Sequence, residues 1–195
     1  MSLVLQPLFG GANREVRLPA YYRQADLPNG WRMCFTSSSA MIAKFHGKVQ
    51  GQHEYNMIRA RYGDTTSVQA HVSALQDLGL KVRFTQKANA ADVVKAVNAG
   101  QPVMAGWYHQ GDMSRGEPPM CSSYACGHWS VIHGYKKHGT PKASWIMSDP
   151  AGKPYLEIGG HDWRVPGSRV DVPQDVFNLR WQIDGPGSGW AIFVQ

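Results

Sequence analysis

No stretch of this sequence approaches the roughly 18 consecutive apolar residues that a membrane-spanning helix requires, so no transmembrane helix is expected. The first nine residues have an apolar flavour but lack the basic start and long apolar core of a secretory signal. The expectation is synthesis in the cytoplasm, with virion association or a non-classical export route as the ways out. Blocks of like charge are missing too. The 20 basic and 14 acidic residues, net +6, are scattered singly or in pairs such as Arg59 with Arg61 and Lys136 with Lys137. That excludes a basic tail. With no basic helix, zinc finger or stacking motif, a nucleic-acid partner is not expected. The positive surplus suits either plain solubility or an anionic polymer as partner. Cysteine is scarce, and the odd count of three (Cys34, Cys121, Cys126) argues against a pure disulfide scaffold. Internal repeats and low-complexity tracts are absent.

What is there is a globular composition. With 195 residues, 43% apolar and 17% charged, the chain is long enough for one domain with a proper core. Residues 1–20 read as an N-terminal arm or leading strand, suited to docking on a larger assembly, and residues 21–195 as the domain. Asp26, Pro28, Asn29 and Gly30 mark a loop before a helix that starts at or near Cys34 and stops at Gly47. Helices are predicted over 53–62 and 67–78. The second carries Val68, His71, Val72, Leu75 and Leu78 on one face and ends at Gly79. A strand over 80–85, a helix over 90–99 and a buried strand over 102–108 follow. After a long loop (109–127) come strands over 128–135 and 143–148, a second long glycine-rich loop (151–172), a short helix over 176–181 and a last strand over 190–194. Helices first and mostly antiparallel strands after make this α+β rather than βαβ winding.

Four residues stand in an order that suggests chemistry. Cys34 falls where a helix begins, and a helix N-terminus favours a thiolate. His128 opens a central strand directly after Gly127, placed as a general base facing a cleft. Asp149 ends the neighbouring strand, where a carboxylate can fix the tautomer of that imidazole. Gln24 precedes Cys34 by a short loop, where an amide can donate into an oxyanion hole. Taken singly, each has a plainer reading: a buried thiol, a core histidine, a turn-forming Asp-Pro and a loop glutamine. The order Gln, Cys at a helix start, Gly-His on a strand, Asp at the next strand end is more specific.

The segments YYRQAD, GWRMCFTSSSAM, CGHWSVIHGY and IMSDPAG resemble motifs of the papain-like cysteine peptidases related to the double-glycine leader peptidases of bacteriocin exporters. The likeness runs from about Tyr21 to Pro150, and the ending RWQIDGPGSGWAIFV is also similar. It implies a papain-like fold, helical half against sheet half. It also implies Cys34 as nucleophile, His128 as base, Asp149 as orienting acid, Gln24 as oxyanion donor, and no cofactor. This chain departs from the exporter peptidases in lacking membrane and ATPase portions, in having two cysteines just before His128, and in its two long loops.

Other readings compete. Cys121, Cys126 and His128 with His109 or His133 invite comparison with zinc, but the spacings fit no standard site, and His128 and His133 should face opposite sides of one strand. A Cys121–Cys126 disulfide is an alternative. Seven tryptophans could form a binding platform, with Trp31 and Trp129 beside the catalytic pair, Gly127 leaving room for substrate, and Trp163 near the cleft. The substrate expected first is bacterial peptidoglycan, cut by a phage lysin, a phage tail enzyme or an antibacterial effector. A protein or leader peptide comes second and a non-catalytic interaction domain third.

Overall fold

The computed structural model describes residues 11–120 and 127–195. After one short leading strand the helices come first, as the order of patterns implied: α1 (Cys34–Phe45), α2 (Gln52–Ala60) and α3 (Val68–Asp77). α3 is capped by Ser67, whose hydroxyl accepts from the Ala70 N–H at 3.3 Å. In α1 the nine consecutive residues Phe35 to Ala43 are all buried. A helix buried all round must still satisfy its polar side chains. Its hydroxyls do so by tying α1 to its neighbours. Thr36 meets Thr65 at 2.6 Å, Ser37 donates to Gln52 at 2.8 Å, and Ser38 donates to the Trp129 carbonyl at 2.8 Å. Ser39 meets Nδ1 of His71 at 3.0 Å.

The strands are β1 (Ala12–Glu15), β2 (Val82–Ala88), β3 (Val103–Tyr108), β4 (Gly127–His138), β5 (Ser144–Asp149), β6 (Lys153–Pro154), β7 (His161–Asp162), β8 (Gly167–Pro173) and β9 (Gly189–Val194). Helix α4 (Ala90–Asn98), started by a capping box between Asn89 and Asp92, follows β2, and α5 (Gln174–Trp181) follows β8. Six strands pair antiparallel in the order β2-β9-β3-β4-β5-β8. β4 is long enough to pair with β3 over its first half and with β1 over its last.

Alternation along the central strands splits the core in two. Met104, Trp129, Val131 and Ile192 pack with Phe35, Met41, Ile42 and Leu75 of α1 and α3. Val103, Ala105, Ile132, Met147 and Phe193 pack on the other face with Val93, Val97, Phe177 and Trp181 of α4 and α5. The sheet is therefore covered on both faces, while α1–α3 form the helical half expected of this α+β fold. Three sequence expectations need correction. β2 runs to Ala88, beyond residue 85, because its register on β9 continues to Gly189. The stretch 151–172 is not one loop, since β6, β7 and most of β8 lie in it. The last helix begins at Gln174, two residues early. Among the described residues no helix is long and apolar enough to cross a membrane.

Candidate active site

Cys34 is the first residue of α1, half-buried and free of any disulfide. Two short 3-10 turns, Gln24–Asp26 and Gly30–Arg32, lead into it. They fit together only because residue 30 is glycine: a Cβ there would sit 2.7 Å from the Ala25 Cα and from the Gln24 carbonyl oxygen. Phe35, one residue on, is stacked between His71 (centroids 3.8 Å apart) and Trp129 (4.1 Å). Rings on each side thus fix the start of α1 against β4.

His128 is buried near the start of β4. Its Nε2–H donates to both carboxylate oxygens of Asp149, at 2.9 and 3.0 Å, which leaves Nδ1 as the nitrogen open to Cys34, a neighbour close enough to act on the His128 proton affinity. Burial pulls the His128 pKa down. The charges of Asp149 and Cys34 and their hydrogen bonds outweigh that and raise it to about 10. Asp149 has no exposed surface. Burial pushes its carboxyl up, but His128 and His161 beside it hold it far below the usual carboxylate range. It also accepts from Ser130 Oγ (2.8 Å), the Ala151 N–H (2.8 Å) and His161 Nε2 (3.3 Å). Trp107 Nε1 donates to the Ser130 hydroxyl at 2.9 Å, and Tyr21 Oη donates to the Asp149 carbonyl at 2.8 Å. A thiol, an imidazole and a saturated carboxylate in a row can pass a proton and hold the resulting imidazolium.

Gln24 is tied to the same end of the sheet, its N–H donating to the Pro150 carbonyl at 2.9 Å. Its side-chain amide donates to the Gly30 carbonyl at 2.8 Å, and its buried Oε1 has no partner among the described residues. One amide hydrogen of Nε2 is left over. Of the three suspected substrate contacts, Gly127 is exposed and a Cβ there would meet nothing within 4 Å. Trp31 is 73% exposed, whereas Trp129 is only 8% exposed and mostly core. Trp163 is 69% exposed, and its carbonyl accepts from Arg23 at 2.6 Å. A cavity of about 160 Å³ opens beside His128 between Trp107, Trp129, Ile183 and Trp190.

For metal, the described residues bring together His128, Asp149 and His161, with ligand atoms within 4.8 Å of one another. Their mutual hydrogen bonds already account for that closeness. His133 does not join them: Nδ1 bonds the Val16 carbonyl and Nε2 the Ser148 hydroxyl. Ser148 and Asp149 are successive strand residues, so their partners lie on opposite faces. Cys121 and Cys126, and with them the zinc and disulfide readings, lie outside the described residues.

Sequence reasoning missed His161, Ser130, Trp107 and Tyr21. Ser130 and Trp107 could have been found from strand alternation, since Ser130 is two residues from His128 and shares its face. No local pattern marks His161.

The sequence profile of the Peptidase_C39 like family matches residues 19–159. Among solved structures, the chain is similar to a C39-like peptidase from Bacillus anthracis (16% identity, TM-score 0.62, covering 94% of this chain and 98% of that one). It is also similar to the peptidase domain of Streptococcus ComA, a bi-functional ABC transporter of a quorum-sensing pathway (18% identity, TM-score 0.52, covering 84% and 90%). A weaker likeness is to a double-glycine-motif protease of an AMS/PCAT transporter solved with its leader peptide (12%, TM-score 0.49, covering 93% and 93%). No curated protein matches the chain.

Proposed function

The chain belongs to the Peptidase_C39 like family and is a cysteine peptidase; we propose that Cys34 is its nucleophile, His128 its base and acid, Asp149 the group that orients His128, and Gln24 an oxyanion donor. The observation that carries this is the buried His128–Asp149 pair, whose hydrogen bonds fix the imidazole beside Cys34 at the start of α1. His128 takes the thiol proton, and the Cys34 sulfur attacks the carbonyl carbon of the scissile amide. The developing oxyanion meets the spare Gln24 Nε2 hydrogen and the Cys34 N–H, which as the first of its helix has no intrahelical partner. On collapse the C–N bond breaks and His128 gives its proton to the leaving amine. Water, deprotonated by His128, then opens the thioester and returns the thiol.

The substrate that suits this site is an extended polypeptide segment, such as a leader peptide. A peptidase domain of similar fold belongs to a bi-functional ABC transporter, Streptococcus ComA. A second reading, cleavage of a peptide or amide bond in peptidoglycan, is favoured by the net charge of +6, which would draw the enzyme to an anionic wall. The test is a parallel assay of purified sacculi and a set of defined polypeptides, some ending in Gly-Gly, with Cys34→Ala as control. New amine termini from polypeptides alone support the first reading, and from sacculi the second. Equal turnover by Cys34→Ala would overturn the assignment of the nucleophile.

A further inference from the structure

We propose that His161 is a positioning residue that shares Asp149 with His128 and so keeps the His128 imidazolium acidic enough to protonate an amide leaving group. This rests on the peptidase reading above and adds a residue to it.

The geometry is specific. His161 Nε2 lies 3.3 Å from Asp149 Oδ2, the oxygen that also receives Ser130 Oγ. Its side chain is 7% exposed, and its ring centroid is 4.4 Å from that of His128. Trp107 (5.7 Å) and His109 (5.2 Å) close in around it. The surrounding backbone is built to hold it there. His161 stands on the two-strand β6–β7 hairpin, whose turn is closed by hydrogen bonds from the Tyr155 N–H to the Gly160 carbonyl and from the Gly159 N–H to the Tyr155 carbonyl. The Gly160 N–H donates to the His109 carbonyl at 2.7 Å. A Cβ on Gly159 would come within 2.9 Å of the Gly111 carbonyl oxygen. Arg180, fully buried, donates to the carbonyls of Leu156 and Glu157 on this hairpin and of Tyr108, Gln110 and Gly111 beside it. A segment of nearly structureless sequence is thus clamped so that one imidazole touches Asp149.

The consequence follows from charge sharing. A carboxylate that gives part of its negative charge to a second donor stabilises the first donor's cation less. His161 has this effect whether neutral, as an N–H donor, or protonated, as a neighbouring positive charge; the sign is the same. Without it, His128 would hold its proton more tightly. Amide cleavage requires that proton at the departing nitrogen, whereas an activated ester such as a p-nitrophenyl ester expels a phenolate that needs none.

The experiment compares wild type, His161→Phe and His161→Gln on a matched peptide amide and p-nitrophenyl ester. The expected result is that His161→Phe lowers kcat/KM on the amide about tenfold more than on the ester, and that His161→Gln, whose amide can still donate, recovers part of the difference. Equal loss on both substrates, or no loss, would overturn the proposal. If His161→Phe does not fold by circular dichroism, the ester-to-amide ratio of His161→Gln against His161→Leu decides in the same way. The second readout needs no turnover: imidazole ¹⁵N titration of His128 in each protein. An upward move of the His128 pKa on loss of the His161 donor supports the proposal even if no substrate is found, and an unmoved His128 refutes it.

Discussion

Acid should unfold this protein in part through a histidine that takes no part in the proposed chemistry. His71 of α3 has no exposed surface. Its Nε2–H donates to the Thr65 carbonyl at 2.9 Å, and its Nδ1 faces the hydroxyls of Ser39 and Tyr55, each at 3.0 Å. Burial lowers its pKa from 6.5 to about 3, against the pull of the Thr65 carbonyl. Below pH 6.5 the unfolded chain takes up a proton on this side chain and the native chain does not. Stability from this one group is therefore complete above pH 6.5. It falls by about 1.4 kcal/mol per pH unit below that, to a total loss of about 5 kcal/mol by pH 3. His71→Gln keeps an acceptor and a donor there but cannot titrate. It will be less stable at pH 7, because the stack on Phe35 is lost, yet its stability should fall less steeply. Urea unfolding at pH 6 and at pH 4.5, followed by circular dichroism, should show the gap between the two proteins narrowing by about 2 kcal/mol. Carboxylates held low, Asp149 and Asp64 among them, contribute equally to both proteins and cancel. Parallel curves would refute the reasoning.

Removing the orienting carboxylate with Asp149→Ala should cut turnover by roughly 10²–10⁴, while Asp149→Asn, which can still accept from His128, should retain part of it; steady-state rates on one peptide check both. Gly30→Ala, whose new methyl would displace Gln24, should lower kcat by about 10² with little change in KM, and unaltered kcat would remove Gln24 from the oxyanion site. Arg180→Met leaves its carbonyl partners unsatisfied and should destabilise the fold by at least about 3 kcal/mol. Hydrogen exchange in that variant should rise together in residues 109–120 and 155–160, and a rise in one segment alone would contradict the clamp. Above pH 7, His128 adds a slope of the opposite sign to that of His71. Its raised pKa gives stability that is complete below pH 6.5 and is lost as pH climbs toward about 10, so His128→Gln should flatten the alkaline side of the stability curve.

How much of this was legible depended on how local the cause was. The start of α1 at Cys34, the strand holding His128 and the strand ending at Asp149 each carry their own signals in turn residues, apolar runs and alternation. The structure sets Cys34, His128 and Asp149 side by side at one end of the sheet. The extension of β2 to Ala88 is set by a partner about a hundred residues away, so no window around β2 contains it. β6 and β7 are two residues each, too short for any period. β8 does alternate, with Val170 and Val172 between polar residues, but the run of glycines that precedes it (Gly152, Gly159, Gly160, Gly167) masks the signal. Trp129 has two sides. Its place next to His128 in sequence suggests a substrate contact, and it does line the cavity beside His128, but strand alternation turns most of the ring toward α1, where it is core.

That turn of Trp129 has a further consequence. Phe35 follows Cys34 and Trp129 follows His128, and the two rings lie face to face, 4.1 Å apart and within 10° of parallel. The separation between sulfur and imidazole is therefore gauged one residue downstream of each, by a contact that no proton of the proposed chemistry touches. Inhibitors that cap the thiol, or a serine in its place, change the chemistry without touching the gauge. The spacing of the Phe35 and Trp129 rings should remain constant through such changes and shift only when α1 itself slides along the sheet.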